Sequence, residues 1–376
     1  MSLPNALTRE EIIRWLHEKN EEKLHQLWQW ADEIRTSVVG DEVHLRGLIE
    51  ISNHCSRRCS YCGINAGNTS LVRYRMEKQE IMDCVDMAQK FGYGTVVIQG
   101  GEDYGIKKEW MDDIIRDIKS RTDLAVTLSL GERPIDDLEM WRAAGANRYL
   151  LRFETSDRTL YEKIHPSMKS TIFDRVEMLR TLRNIGYEIG GGIMVGIPGQ
   201  TYVSVYNDLC TFQEMDLDMI GVGPYLPHPH TPLGTEGEEI RKQTPDQIAN
   251  TELMTCKVVA LTRILCPEAN IPSTTALGTI DRQLGRVHGL QRGANVLMPN
   301  ITPLHYRKLY EIYPEKAGND STPAETDQLL KELIAGLGRR RGKGPGGRLH
   351  TPHRSEEDSR GLPGIHKRMR GRTLIT

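Results

Sequence analysis

The chain reads as an α/β protein, a (β/α)8 TIM-type barrel with an N-terminal helical extension and a flexible basic C-terminal tail. Three observations lead there. Eight short apolar runs, at 48–52, 95–99, 125–130, 148–152, 190–195, 219–223, 270–274 and 294–298, alternate with helix-sized intervals, the pattern of parallel strands joined by crossover helices. Polar residues gather where the runs end, as they do on the C-terminal face of a barrel. The first run opens into a cysteine-rich loop, whereas a doubly wound open sheet requires a glycine-rich phosphate turn at that point.

Residues 1–45 form the helical extension. Thr8-Arg-Glu-Glu11 has capping-box spacing, and Leu24, Leu27, Trp28 and Ala31 recur at helical intervals. Residues 46–315 hold the barrel, 316–338 a C-terminal helical segment and 339–376 the tail. The first run ends at Ser52-Asn53 and the second at Gly100-Gly101-Glu102-Asp103. The third carries Thr127 and Ser129, and the fourth Arg148, Arg152, Glu154 and Thr155. The fifth carries Met194, the sixth ends at Pro224-Tyr225 ahead of His228 and His230, and the seventh brings Thr274 and Thr275. From Arg339 the chain is rich in Arg, Lys, Gly, Pro and His without apolar periodicity, so it cannot bury enough surface to fold alone. Its basic character suits an acidic partner surface.

A formal net charge of −2 gives no argument for nucleic acid or an anionic membrane as partner. No apolar run has spanning length, and no signal pattern opens the chain. The cysteines number seven, an odd count with three tightly clustered, which speaks against a secreted disulfide framework and for a reducing cytoplasm.

The clustered three are Cys55, Cys59 and Cys62, spaced C-x3-C-x2-C, with the aromatic Tyr61 just before the last. A structural zinc site draws four ligands, usually from two C-x-x-C pairs, and no second pair exists here. Three thiolates suit a [4Fe–4S] cluster with one iron left open. That iron can be chelated by the amino and carboxylate groups of S-adenosylmethionine (SAM), and one electron then releases a 5′-deoxyadenosyl radical.

Other residues admit two readings each. Gly100-Gly101 is a tight turn, or a backbone edge open to the methionyl ammonium of SAM with Glu102 as counter-charge. Arg152 and Glu154 are an ion pair, or Glu154 accepts hydrogen bonds from ribose hydroxyls. Arg175, in an amphipathic helix, is a solvated charge or the cation for the SAM carboxylate. His228 and His230 lie in a loop stiffened by prolines, which explains them better than a metal site.

Longer segments then point to a family. Val126-Thr-Leu-Ser-Leu-Gly-Glu132, Arg148-Tyr-Leu-Leu-Arg152, Val195-Gly-Ile-Pro-Gly-Gln200, Gly221-Val-Gly-Pro-Tyr-Leu-Pro-His-Pro229, Ala260-Leu-Thr-Arg-Ile-Leu265 and Gly293-Ala-Asn-Val-Leu-Met-Pro-Asn300 resemble HydE proteins. These are the radical SAM maturases of [FeFe]-hydrogenase, in the biotin synthase-like branch. The resemblance runs from about residue 10 to about residue 315. It implies a full barrel with the cluster and SAM at the top of an internal cavity. It also implies action on an Fe(CO)2(CN)-cysteine complex made by HydG, alongside the scaffold GTPase HydF and a low-potential electron donor. By position, Cys55, Cys59 and Cys62 match cluster ligands. Tyr61, Gly100, Gly101, Glu102, Glu154, Arg175 and Met194 fall in the SAM site. Thr127, Ser129, Arg148, Arg152, Thr274 and Thr275 fall on the inner cavity, where two arginines and several hydroxyls would suit a carboxylate- and cyanide-bearing complex.

The sequence departs from the family in three places. After Cys266 it has no cysteines, so the accessory cluster of some relatives is not expected. Phe153 stands where some relatives have His, which would make the cavity edge apolar. The third departure is the basic tail. Two other readings compete: a PylB-like lysine mutase making methylornithine, and a non-catalytic iron–sulfur carrier, which would not need the SAM-facing groups.

Overall fold

The computed structural model describes residues 7–166 and 174–349. Its centre is a parallel sheet of β1 (Glu42–Ser52), β2 (Thr95–Gly100), β3 (Ala125–Ser129), β4 (Arg148–Leu150), β5 (Glu188–Val195), β6 (Met219–Pro224) and β7 (Val296–Leu297), in the order β6-β5-β4-β3-β2-β1-β7. Helices fill the intervals and bury one face of each strand. On β1, Ile49 and Ile51 pack outward into the apolar layer, while Arg46, Leu48 and Glu50 face the barrel interior.

The seventh run is not a continuous strand. Asn270 bridges Met219 and Pro272 bridges Val296, closing the circle between β6 and β7. Pro272 has no N–H to continue the ladder. The Ile271 N–H goes to the Asn295 side chain at 2.9 Å instead. The barrel is therefore complete, with its seventh position held by two bridges.

At the N-terminal end, α1 (Arg9–His17) starts at Thr8 with the expected reciprocal capping box, and α2 (Glu21–Val39) follows. Leu24, Leu27 and Ala31 are buried. Lys257 Nζ donates to the Leu16 carbonyl at 2.9 Å and ties the extension to the buried helix Glu252–Leu265. Beyond the barrel, helix Pro323–Gly336 also begins with a capping box, at Thr322. No helix among the described residues is long and apolar enough to cross a membrane.

The tail does not begin at Arg339. Arg339 is buried, and β8 (Arg340–Arg341) pairs in parallel with the start of β1. Residues 342–349 then cross the N-terminal mouth of the barrel as a strap. Pro345 O accepts from Thr95 Oγ1 at 2.8 Å and from Arg148 Nη2 at 3.2 Å. Gly346 O accepts from Arg46 Nη2 at 2.9 Å and from Asn270 Nδ2 at 3.3 Å. Arg348 pairs with Asp216 at 2.7 Å and Glu268 at 3.0 Å. Order comes here from carbonyls offered to buried donors, not from apolar burial, which is why composition reads as disorder. Glycine makes the approach possible: a Cβ at Gly94 would overlap the Gly344 carbonyl. The rest of the expected tail, 350–376, lies outside the described residues.

Candidate active site

One interior cavity of about 350 Å³ gathers every expected site residue except Arg148. Cys55, Cys59, Cys62, Tyr61, Gly100, Gly101, Glu102, Glu154, Arg175 and Met194 line one part, and Thr127, Ser129, Arg152, Thr274 and Thr275 another. The three cysteines are free thiols. Burial pushes Cys59 up to about 12 and Cys62 well above the usual thiol range. Among the described residues no three His, Cys, Asp or Glu side chains are grouped closely enough to hold a single metal ion. The donor set, three thiols of one loop that all line the cavity, fits the three-cysteine ligation of a [4Fe–4S] cluster.

The loop carrying them is held by close backbone packing. Gly101 N donates to Ser52 O at 3.0 Å, and Ser56 N to Glu102 O at 2.9 Å. A Cβ at Gly101 would overlap the His54 carbonyl, so this glycine serves the seating of the cysteine loop.

Around the loop lies a buried network that the sequence did not reveal. Arg57 pairs with Glu102 at 2.8 Å and also with Glu132. Arg175 pairs with Glu132 at 2.9 Å and stands 3.8 Å from Glu102. Two guanidinium groups face two carboxylates, so removing any one leaves an uncompensated buried charge. Both Glu102 oxygens are engaged, since Oε2 also accepts from Glu132 N at 3.0 Å. Burial, then the Glu132 charge, raises the Glu102 carboxyl, and the arginines partly offset this. Arg175 is not solvated: it opens the helix Arg175–Ile185 and also donates to Arg152 O at 2.7 Å. Its Nη2 lies 2.7 Å from His165 Nε2. Burial, then the Arg175 and Arg57 charges, holds His165 at about 2. His165 is therefore neutral, with Nε2 accepting and the proton on Nδ1.

Glu154 and Arg152 do pair, at 3.0 Å. Glu154 sits at φ 62°, a left-handed conformation that costs a non-glycine residue about 1–2 kcal/mol. Its backbone is fixed on both sides, N to Gly192 O and O to Met194 N, each 3.0 Å. Beside it Tyr61 and Met194 pack on an apolar patch of Leu160, Ile197, Tyr225 and Leu233.

Two expectations require correction. Arg148 shares the inward face of Arg152 but lies two inward positions lower. There it bonds Glu188 at 2.7 Å, Thr95 at 3.1 Å and the strap, beneath the cavity. Phe153 is turned outward into the core against Phe212, so it does not form the cavity edge. His228 and His230, rings 5.7 Å apart, belong to no trio of metal-binding groups among the described residues.

Cations other than Arg148 line the cavity. Lys316 is buried against Glu50 at 2.6 Å, and Asn300 Nδ2 donates to the other Glu50 oxygen at 2.8 Å. Glu50 was legible only as an inward alternation on β1, and Lys316 carried no signal. Arg46 and Arg286 also line the cavity, and among the described residues neither has a carboxylate partner. Among the described residues Arg46 Nε and Thr127 Oγ1 are buried without hydrogen-bond partners. Burial, then Arg148, lowers Arg46 to about 9, which leaves it charged at neutral pH.

Comparison with known proteins agrees with this geometry. Residues 49–209 match the Radical SAM superfamily. Over 322 residues the chain is 45% identical to "[FeFe] hydrogenase maturase subunit HydE" of Thermotoga maritima, covering 86% of this chain and 88% of that protein. It is 29% identical over 333 residues to 3-methylornithine synthase of Methanosarcina acetivorans, covering 88% of each. The solved structure of methylornithine synthase (PylB) superposes with a TM-score of 0.76 at 23% identity, covering 90% of this chain and 95% of that one. That last likeness speaks for the fold.

Proposed function

The chain belongs to the HydE family of radical SAM enzymes, and from that premise we propose that it acts on an Fe(CO)2(CN)-cysteine complex during assembly of the [FeFe]-hydrogenase diiron subcluster. Cys55, Cys59 and Cys62 would hold a [4Fe–4S] cluster, with SAM at the iron they leave open. When bound, that pair supplies an electron and a 5′-deoxyadenosyl radical. Arg175 would serve the SAM carboxylate, Glu154 the ribose hydroxyls, and Tyr61 and Met194 the adenine. Thr127, Ser129, Arg152, Thr274 and Thr275 orient the substrate.

One observation carries the reading. A single cavity is lined by the three cysteines and by two cations that, among the described residues, form no ion pair: Arg286, and Arg46, which also donates to Gly346 O. Four other cations (Arg57, Arg152, Arg175 and Lys316) already face four carboxylates. The remaining positive charge is available to an anionic, ligand-bearing complex. HydG would supply that complex, HydF would receive the product, and a low-potential donor in a reducing cytoplasm would deliver the electron.

The test is anaerobic turnover. The reconstituted, reduced protein is given SAM with the Fe(CO)2(CN)-cysteine complex, with lysine, or with neither, and 5′-deoxyadenosyl products are quantified. Strong dependence on the complex with an adenosylated product supports the maturase. A response to lysine alone would replace it with the mutase that the 29% identity also allows. No cleavage by a fully loaded protein would leave the iron–sulfur carrier.

A further inference from the structure

Glu154 follows β4 and Met194 lies at the end of β5, and one buried carboxylate joins the two segments. Asp208, on the helix Tyr202–Glu214, is fully buried. Its Oδ1 accepts from the Ser156 backbone N–H, from the Ser156 hydroxyl at 2.7 Å and from the Thr155 hydroxyl at 3.2 Å. Its Oδ2 accepts from Gln200 Nε2 at 3.4 Å. Gln200 Nε2 also donates to Met194 O at 3.0 Å, while Oε1 accepts from Gly196 N at 2.6 Å and Ile197 N at 3.2 Å. A chain of direct hydrogen bonds thus runs from the turn just after Glu154, through Asp208 and Gln200, to the backbone of Met194.

The polarity of this chain is fixed. Two backbone N–H groups hold Gln200 Oε1, so its amide cannot flip and Nε2 must face Asp208. Position 208 therefore needs an acceptor toward Gln200 and another toward Ser156. An asparagine would set its NH2 against one donor or the other. No arginine or lysine pairs with Asp208 among the described residues. Burial pushes its carboxyl up to about 7, partly offset by the Ser156 and Thr155 donors, and the Asp157 charge adds to the rise. An acid buried among neutral donors is an unfavourable way to fill a core, where an apolar side chain would pack the same helix without that cost. Glu154, meanwhile, is in a strained backbone conformation that persists only where its surroundings over-determine it.

We propose that Asp208 is a positioning residue for SAM, holding the Glu154 turn of β4 in register with the Met194 end of β5 through Thr155, Ser156 and Gln200. The inference rests on the reading of this site as a SAM site. It assigns to Asp208 no contact with SAM and no proton transfer.

The test measures binding. Anaerobic, cluster-reconstituted wild type, Asp208→Asn and Ser156→Ala are titrated with S-adenosylhomocysteine by calorimetry, with iron and sulfide content and melting temperature recorded for each. With a full cluster, Asp208→Asn is expected to bind at least tenfold more weakly, and Ser156→Ala severalfold more weakly. A purely structural role would lower the melting temperature and leave affinity unchanged. Wild-type affinity in Asp208→Asn would overturn the inference. Should that variant fail to fold or to load iron, Ser156→Ala decides: weaker binding supports the inference and unchanged binding overturns it. If wild type itself binds neither S-adenosylhomocysteine nor SAM, the SAM reading falls first and the role of Asp208 with it.

Discussion

Gly94→Ala is expected to lift residues 344–346 of the strap off the barrel floor, with the Arg348 ion pairs left in place. The added Cβ would overlap the Gly344 carbonyl, a backbone atom that can yield only by moving the segment. The strap would lose two hydrogen bonds from arginines and two from neutral donors. At about 1 kcal/mol for each neutral bond and 1.5–3 for each charged one, the loss is roughly 5–8 kcal/mol. Freeing three residues returns about 1–1.5 kcal/mol each in chain entropy, which leaves a net cost of about 2–4 kcal/mol. The assay is denaturant unfolding in two backgrounds, the full chain and a chain ending at Arg341. If the strap transmits the effect, the substitution costs about 2–4 kcal/mol in the full chain and under about 0.5 in the shortened one, as a double-mutant cycle requires of coupled elements. Equal costs in both backgrounds would refute the reasoning and place the defect in β2 itself.

Serine at Cys55, Cys59 or Cys62 should each abolish cluster loading and SAM cleavage, checked by iron content per chain and 5′-deoxyadenosine yield, while the melting temperature of the metal-free protein changes little. Arg286→Ala should weaken binding of the Fe(CO)2(CN)-cysteine complex by roughly tenfold or more, about what one lost charged hydrogen bond implies, with SAM affinity unchanged in the same titrations. His165 is held at about 2 against an ordinary 6.5. The unfolded chain therefore takes up a proton near pH 6.5 that the folded chain refuses, and this contribution to stability, complete above 6.5, is lost as the pH falls. His165→Gln keeps an acceptor for Arg175 and does not titrate. Between pH 7 and pH 5 wild type should lose about 2 kcal/mol relative to that variant, read from paired denaturant curves.

How much of this was legible follows from the physics of each element. The barrel and the cysteine loop could be read because alternation of apolar runs and cysteine spacing are local. The inward face of β4 could be read too, from its period of two. Height along the barrel axis could not: Arg148 and Arg152 share a face, and the first is held beneath the cavity by its bonds to Glu188, Thr95 and the Pro345 carbonyl, partners distant in sequence. The Arg57–Glu132 pair joins residues 75 positions apart, a closeness that only the closed barrel creates. The strap was the largest surprise, because its donors, Arg46, Thr95, Arg148 and Asn270, are distant in sequence and its own residues carry no apolar pattern. Pro272 was visible, but its interruption of the seventh strand depends on which N–H the ladder needs there.

The most direct measurement of the central claim is activation of a metal-free-subcluster [FeFe]-hydrogenase in an anaerobic mixture containing HydG, HydF, SAM, a reductant and this protein. The account predicts hydrogen evolution with wild type, none when this protein is omitted, and none with Cys59→Ser. Activation that proceeds equally without the protein, or with Cys59→Ser, would contradict it.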